Sequence, residues 1–256
     1  MKKSLAFVEA RRRKILEKLA LNPSCKVQEL ADLYAVSALT IRRDLDVLAQ
    51  RGVLKRFYGG ATLEQHVQQE NTLQEVYKRA IAQRAAECIH EGDTLFINSS
   101  STALQTLDYV KDKRITVITN NGKAIHRNLD PRIKLVLTGG HIQFPKEALT
   151  GEFAMQSLER VTAQKAVMGF SGVSLQGGLT TSNLDEVAIN EMMLRRATEK
   201  VVVLVESRKL NYVSNFVSGN LDRVSHLITD THADPTFVEA LDKRGICVTL
   251  VQIDER

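Results

Sequence analysis

The pattern of apolar residues changes near residue 73, and this change constrains the fold more than any other feature of the sequence. Beyond it, a helix is predicted over roughly 75–90, and short apolar runs recur at 94–98, 115–119, 133–138, 165–170, 200–205, 226–229 and 246–251. Helical segments lie between most of these runs, at roughly 102–110, 123–129, 152–160, 184–199 and 235–244. Runs such as Val201 to Val205 are apolar on both faces, which is typical of strands covered by helices on two sides. The alternation predicts a mostly parallel α/β domain over residues 75–256.

The excess positive charge of the chain lies in its first 60 residues. That segment holds 13 basic and 6 acidic side chains, whereas the whole 256-residue chain holds 35 and 30, so the remainder is nearly neutral. A small basic domain beside a larger, nearly neutral one indicates a polyanionic partner for the first domain. A solvated basic helix is the alternative that charge alone leaves open.

The first domain is predicted to contain three helices and a β-hairpin. Apolar spacing gives helices over 5–21 and 27–34, and Ser37 is placed to cap a third helix that Gly52 ends. Residues 53–61 then alternate around two glycines, as a two-stranded wing does. A helix, a tight turn and a second helix place one helix in the major groove of DNA. We therefore predict a DNA-binding domain over 1–61 and a polar linker over 62–74.

Candidate DNA contacts lie on the third helix and on the wing. An apolar stripe at Ile41, Leu45 and Leu48 turns the opposite face of the helix outward, where an arginine can donate two hydrogen bonds to guanine. Ion pairing of the helix arginines with Asp44 and Asp46 is the structural alternative. The predicted contacts are Leu39, Thr40 and Arg43 to base edges, Arg42, Lys55 and Arg56 to phosphates, and Ser37 and Tyr58 beside them.

These residues also carry a family resemblance. The run Val36-Ser37-Ala38-Leu39-Thr40-Ile41-Arg42-Arg43-Asp44-Leu45, then Leu48, Gly52, Leu54, Arg56 and Gly59-Gly60-Ala61, resembles the N-terminal signature of DeoR-type bacterial transcription regulators. Comparable motifs follow at 78–82, 119–120, 139–140, 169, 178–180 and 206–209. The resemblance implies a winged helix-turn-helix and a sensor domain related to ribose-5-phosphate isomerase and glucosamine-6-phosphate deaminase. It also implies a repressor of sugar-catabolism genes that leaves DNA when a phosphorylated sugar binds.

Polar residues follow several predicted strands, at the sheet edge where open α/β folds bind ligands. Serine hydroxyls and free amides at the start of the helix after strand 94–98 suit a phosphate group, and Lys209 offers a point charge. Lys78 is a candidate effector contact only because of the family resemblance. Turns and helix caps are the alternative explanation of such loops. The candidate effector contacts are Lys78, Asn98, Ser99, Ser100, Ser101, Thr102, Thr119, Asn120, Asn121, Gly139, Gly140, Gly169, Ser171, Gly172, Glu206 and Lys209.

The sequence departs from the family in three places. The run from Asn98 to Thr102 stands where many members have an aspartate and a Gly-Thr-Thr run, Glu206 replaces the usual aspartate, and Tyr58 replaces a common histidine. A carboxylate lost at position 98 would remove a partner for sugar hydroxyls. This departure predicts an effector different from those of better-known members.

Other function classes find little support in the sequence. It has no Walker loop, GxGxxG or GxSxG motif, and its three cysteines lie far apart without a Cys/His cluster. We expect no cofactor, no metal and no catalysis. The alternatives are an isomerase- or deaminase-like enzyme and a ligand-independent DNA-binding protein. The enzyme would need a general base, for which Asp185, Glu186, Glu152 and His141 are the candidates.

The expected location is the cytoplasm. No apolar stretch approaches the roughly 18 residues that cross a bilayer, and the basic N-terminal region lacks an apolar signal core. The expected partners are double-stranded operator DNA, a phosphorylated sugar and further copies of the chain in a homodimer or larger homo-oligomer.

Overall fold

A computed structural model describes residues 5–22 and 24–253; for residues 5, 6 and 65–72 the description covers the backbone alone. The chain forms two compact units, Met1–Glu75 and Val76–Arg256. This division agrees with the change of pattern near residue 73. The finer boundaries at residues 61 and 74 stay predictions.

The first unit combines three helices with a small antiparallel sheet. Its elements are α1 (Leu5–Leu21), β1 (Ser24–Lys26), α2 (Val27–Leu33), α3 (Ala38–Gln50), β2 (Leu54–Phe57) and β3 (Gly60–Leu63). The strands lie in the order β1-β3-β2. The helices and the β2–β3 wing confirm the predictions, whereas β1 was missed because three residues are too few to show alternation.

Local sequence signals explain where α3 begins and ends. Ser37 caps the helix, its hydroxyl accepting a hydrogen bond from the Thr40 amide at 3.2 Å. Gly52, with a φ of +71°, supplies the left-handed residue that follows many helix ends. Between these ends, Ile41 and Leu45 are fully buried against α1 and α2, so α3 is held by its apolar face while its other face stays outside.

The helix predicted over roughly 75–90 is longer and begins earlier. Helix α4 spans Glu64–Ala86, and residues 62 and 63 complete β3. The polar segment 62–74, which was predicted to be a linker, is therefore mostly helical. Its glutamines and glutamates have good helix propensity.

The second unit is built on a seven-stranded parallel sheet. The strands of the whole unit, including those of two smaller sheets, are β4 (Thr94–Ile97), β5 (Ile115–Thr119), β6 (Ile133–Leu137), β7 (His141–Gln143), β8 (Ala148–Thr150), β9 (Ala163–Gly169), β10 (Gly172–Ser174), β11 (Gly178–Thr181), β12 (Ala197–Leu204), β13 (Phe216–Gly219), β14 (His226–Asp230) and β15 (Cys247–Val251). The order β15-β14-β12-β9-β4-β5-β6 in the large sheet contains every strand that the sequence predicted. The predicted parallel α/β fold is confirmed.

Both faces of the large sheet are buried. Met168 and Val203 belong to one apolar cluster, and their chain neighbours Val167 and Val202 belong to another. Such successive residues point to opposite faces of a strand, so the strands inside the sheet contribute to two cores, whereas the edge strand β6 contributes to one. Burial of each large apolar side chain stabilises the unit by about 1.5–3 kcal/mol.

The helices of the second unit are shorter than predicted. They are α5 (Ser101–Gln105), α6 (Glu152–Glu159), α7 (Val187–Arg196) and α8 (Pro235–Asp242), with 3-10 turns at Thr106–Tyr109, Gly122–His126, Leu184–Glu186, Ser207–Lys209 and Leu221–Arg223. The predicted helix over 123–129 is a 3-10 turn, and the end of the predicted helix over 184–199 belongs to β12. The hairpin β7–β8 and the small sheet β10–β11–β13 were also missed, because strands of three or four residues carry little periodicity.

Candidate functional site

Most of the predicted DNA contacts lie on the outer surface of the first unit. On α3, Leu39, Arg42 and Arg43 are exposed; on the wing, Lys55 and Tyr58 are exposed, Tyr58 completely. Of the remaining candidates, Thr40 is half-buried and Ser37 serves as the helix cap. The structure therefore offers a cationic helix face and a cationic hairpin to a polyanion.

The acidic residues of α3 are paired elsewhere, not with the helix's own arginines. Asp44 is buried and accepts a hydrogen bond from Arg11 Nε of α1 at 2.6 Å, and Asp46 pairs with an arginine of β2. Within residues 5–22 and 24–253, the guanidinium groups of Arg42 and Arg43 take part in no ion pair. The alternative of internal pairing therefore does not hold for them, and both stay available to DNA.

Arg56 is held inside the unit. Its guanidinium donates to the carbonyl oxygens of Gly60 at 3.2 Å and Arg42 at 3.1 Å, and it pairs with the Asp46 carboxylate. This geometry does not support the predicted phosphate contact by Arg56, because three acceptors already surround the group. Arg56 instead ties the wing to the middle of α3.

A second ionic cluster joins α1 to the residue after α3. Hydrogen bonds from Arg51 and then Arg12 lower the pKa of Glu9 to about 2. A lowered acid pKa favours the folded state at neutral pH, and this contribution is lost as the pH falls toward 2. The arginines that face Glu9 thus serve the fold of the unit.

The second candidate site is a cavity of about 320 Å³ at the carboxyl edge of the large sheet. Eight of the predicted effector residues line it: Ser99, Ser100, Ser101, Thr102, Asn121, Gly169, Ser171 and Lys209. They come from the ends of β4, β5, β9 and β12, where ligands of open α/β folds bind. Whether they bind an effector stays a prediction.

Position 98, the departure from the family pattern, does not line this cavity. Asn98 is buried, and its side-chain amide donates to the Gly169 carbonyl oxygen at 2.8 Å and to Asn190 Oδ1 at 3.0 Å. Its own oxygen accepts from the Gly169 amide at 3.0 Å. Asn98 therefore fastens β4 to β9 and α7 and holds Gly169, which lines the cavity. Its position does not support the predicted effector contact by Asn98 itself.

The other predicted effector residues also lie outside the cavity lining. Thr119 and Asn120 are buried and hold the turn after β5, and Gly139 and Gly140 line a separate cavity beside α6. Lys78 lies on α4 and Gly172 in β10. Glu206 is buried and accepts from Lys209 Nζ at 2.9 Å, so it reaches the cavity only through that lysine.

Six cavity residues were missed by the sequence analysis as effector contacts: Lys123, Lys146, Phe170, Thr181, Ser182 and Glu186. Glu186 is buried, and it accepts from Lys146 Nζ at 3.0 Å and Thr181 Oγ1 at 3.2 Å. Glu186 was named in the sequence analysis only as a candidate general base, and Lys146 lies in a loop without periodicity. Only Lys123 had a nearby signal, since it lies two residues after the predicted effector contact Asn121.

The positive charge of the cavity comes from lysines more than from a helix. Helix α5 has only five residues, and its cap Ser100 already accepts from the Ala103 amide at 3.3 Å. So short a helix adds little dipole, and the lining lysines outnumber the lining glutamate by three to one. The lining suits a small anion that carries hydroxyl groups.

The described residues show neither a metal cluster nor a membrane helix. Over residues 5–22 and 24–253, no three His, Cys, Asp or Glu side chains are grouped as metal ligands. In the same ranges, no helix has the length and apolarity needed to cross a bilayer.

Two family models match the chain. Residues 11–67 match the DeoR-like helix-turn-helix domain, and residues 73–231 match the DeoR C terminal sensor domain. The matches cover α2, α3 and the wing in the first unit and the cavity residues in the second.

Similar proteins span nearly the whole chain. An uncharacterized HTH-type transcriptional regulator of Bacillus subtilis, YulB, is 31% identical over 98% of this chain and 99% of its own. A putative aga operon transcriptional repressor of Escherichia coli O157:H7 is 29% identical over 97% of this chain and 96% of its own. Among solved structures, ribose 5-phosphate isomerase A of Methanocaldococcus jannaschii matches 54% of each chain, with a TM-score of 0.39 and 16% identity.

Proposed function

This chain belongs to the DeoR family of transcription regulators, and we propose that it is a cytoplasmic, sequence-specific repressor of a carbohydrate operon, released from DNA by a phosphorylated sugar. The observation that supports this proposal most strongly is the lysine-rich cavity at the carboxyl edge of the large sheet. Its hydroxyl and amide groups suit a polyol, and its net positive charge suits a phosphate ester.

The DNA-binding part of the proposal is supported by the outer face of α3. Exposed Arg42 and Arg43 have no ion pair within residues 5–22 and 24–253, and exposed Lys55 lies on the wing. We propose that a homodimer or larger assembly places two α3 helices in successive major grooves, roughly 34–36 Å apart. Repression of an operon extends to this chain what the Escherichia coli relative's name says of that protein. A role in carbohydrate use is what the family resemblance implies.

Arg43→Ala is expected to weaken operator binding and to relax base preference at one position. Arginine bound to guanine discriminates against a wrong base by about 1–3 kcal/mol, so the loss should be base-dependent. The measurement is a gel shift over operators in which each base pair is varied in turn. Unchanged affinity and preference would contradict the assignment of this face of α3.

Lys55→Ala is the matched control for that measurement. A wing lysine that meets phosphate reads no sequence, so its loss should weaken all operators alike and lower the salt slope by about one. The two variants remove the same charge and should differ only in base dependence.

A melting screen with sugar phosphates tests the effector. A compound present at about 100 times its Kd should stabilise the folded chain by about 2.7 kcal/mol. We expect a phosphorylated sugar to raise the Tm and then to release operator DNA in a gel shift.

The alternatives give different results. No shift across a broad panel would favour a ligand-independent DNA-binding protein. Turnover of a sugar phosphate by the purified chain would favour the isomerase- or deaminase-like enzyme, with buried Glu186, which lines the cavity, as the candidate general base.

A further inference from the structure

The three lysines that line the cavity differ in their partners. Lys146 Nζ lies 3.0 Å from the buried carboxylate of Glu186, and Lys209 Nζ lies 2.9 Å from that of Glu206. Within residues 5–22 and 24–253, Lys123 makes no ion pair with any carboxylate. Its charge is the least compensated of the three.

The backbone of Lys123 is fixed to the serine loop after β4. Asn121 is buried; its side-chain oxygen accepts from the Lys123 amide at 3.2 Å, and its side-chain nitrogen donates to the Ser100 carbonyl oxygen at 3.3 Å. One asparagine thus connects the lysine to the loop whose hydroxyls line the cavity. The side chain of Lys123 is exposed and starts from a fixed point.

The preceding residue is held from the opposite side. The Gly122 amide donates to the Glu147 carbonyl oxygen at 2.8 Å, and a Cβ at Gly122 would lie 2.7 Å from that oxygen. This contact presses the turn against the hairpin that carries Lys146. Lys123 therefore lies between the serine loop and the β7–β8 hairpin.

We propose that Lys123 binds the phosphate group of the effector, and that the Lys146–Glu186 pair binds its hydroxyl groups. The inference rests on the proposed function. A phosphate that drew Lys146 away would leave the buried Glu186 without its cation, which is costly. A phosphate that drew Lys209 away would break its contact with the buried Glu206, which Arg208 Nε also holds at 2.7 Å. Binding at Lys123 breaks no pair and brings the dianion beside the hydroxyls of Ser100 and Ser101. Glu186, already oriented by Lys146 and Thr181, is then left to accept from the sugar.

Titration of the full chain with inorganic phosphate, followed by calorimetry or phosphorus NMR, tests this assignment. We expect Lys123→Gln to raise the Kd for phosphate at least about tenfold, since a charge-assisted contact to phosphate is lost. Lys123→Arg should keep most of the affinity. Lys134→Gln is the matched control, because Lys134 is exposed on the edge strand β6, away from the cavity lining, and loses the same charge.

Two results would overturn the inference. The first is that the Lys123→Gln variant binds phosphate as tightly as wild type, whereas Lys146→Gln or Lys209→Gln abolishes phosphate binding. The other is no phosphate binding by the wild-type chain. Operator release separates this failure from that of the proposed function: if sugar phosphates still release the wild-type chain from DNA, the function stands and only the role of Lys123 fails.

Discussion

Asp44→Ala is expected to lower the free energy of unfolding of the first unit by about 3–5 kcal/mol, the usual effect of removing one partner from a buried ion pair. Asp44 is 2% exposed and accepts from Arg11 Nε at 2.6 Å and Arg12 Nε at 3.0 Å. Without the carboxylate, Arg11 would keep a buried charge with no compensation. Because Asp44 lies on α3, operator binding should fall together with stability.

Hydrogen exchange of the α3 amides in the full chain measures this effect, since it reports the local opening free energy. Glu17→Ala is the control: Glu17 pairs with Arg13 on the exposed side of α1, and its loss should change stability by about 0.5 kcal/mol or less. An Asp44→Ala variant as protected as wild type would show that the pair does not hold α3 in place.

Ser101→Glu is expected to abolish the effector response while DNA binding persists. Ser101 lines the cavity at the start of α5 and is exposed, so a glutamate fits without disturbing the core. Its charge would face the effector phosphate, and like charges at a binding site cost enough to weaken affinity about 100-fold or more. The measurement is operator release by the sugar phosphate that the melting screen identifies.

Asn128→Glu is the control for that variant. Asn128 is exposed in the same unit and absent from the cavity lining, and it gains the same charge. It should respond to the effector like wild type. If the effector still released the Ser101→Glu variant from operator DNA normally, the effector phosphate would not bind at this loop.

Local signals predicted much of the fold. The stripe Ile41, Leu45 and Leu48 and the cap at Ser37 defined α3 because helix period and capping act within a few residues. All seven strands of the large sheet were predicted because each is a run rich in apolar residues, and the inner strands are apolar on both faces. The shortest strands and the start of α4 were not, since neither shows a distinctive period.

Half of the predicted effector residues lie around the cavity, and the misses have a common cause. Hydrogen bonds between distant parts of the chain decide which polar groups face the cavity. Asn98 is drawn inward by Asn190, and Glu186 is oriented by Lys146 across 40 residues of chain. Arg56 was likewise predicted to contact phosphate, because the sequence does not show that its guanidinium bonds to Asp46 and to the Gly60 carbonyl oxygen. Such pairings leave no trace in local spacing.

The most direct test of the account is a gel shift of the wild-type chain on its operator with a sugar phosphate and, in parallel, the same sugar without phosphate. We predict a sequence-specific complex that dissociates when the phosphate ester is added and stays intact with the free sugar. A complex that no phosphate ester dissociates, or one that the free sugar dissociates equally well, would contradict this prediction.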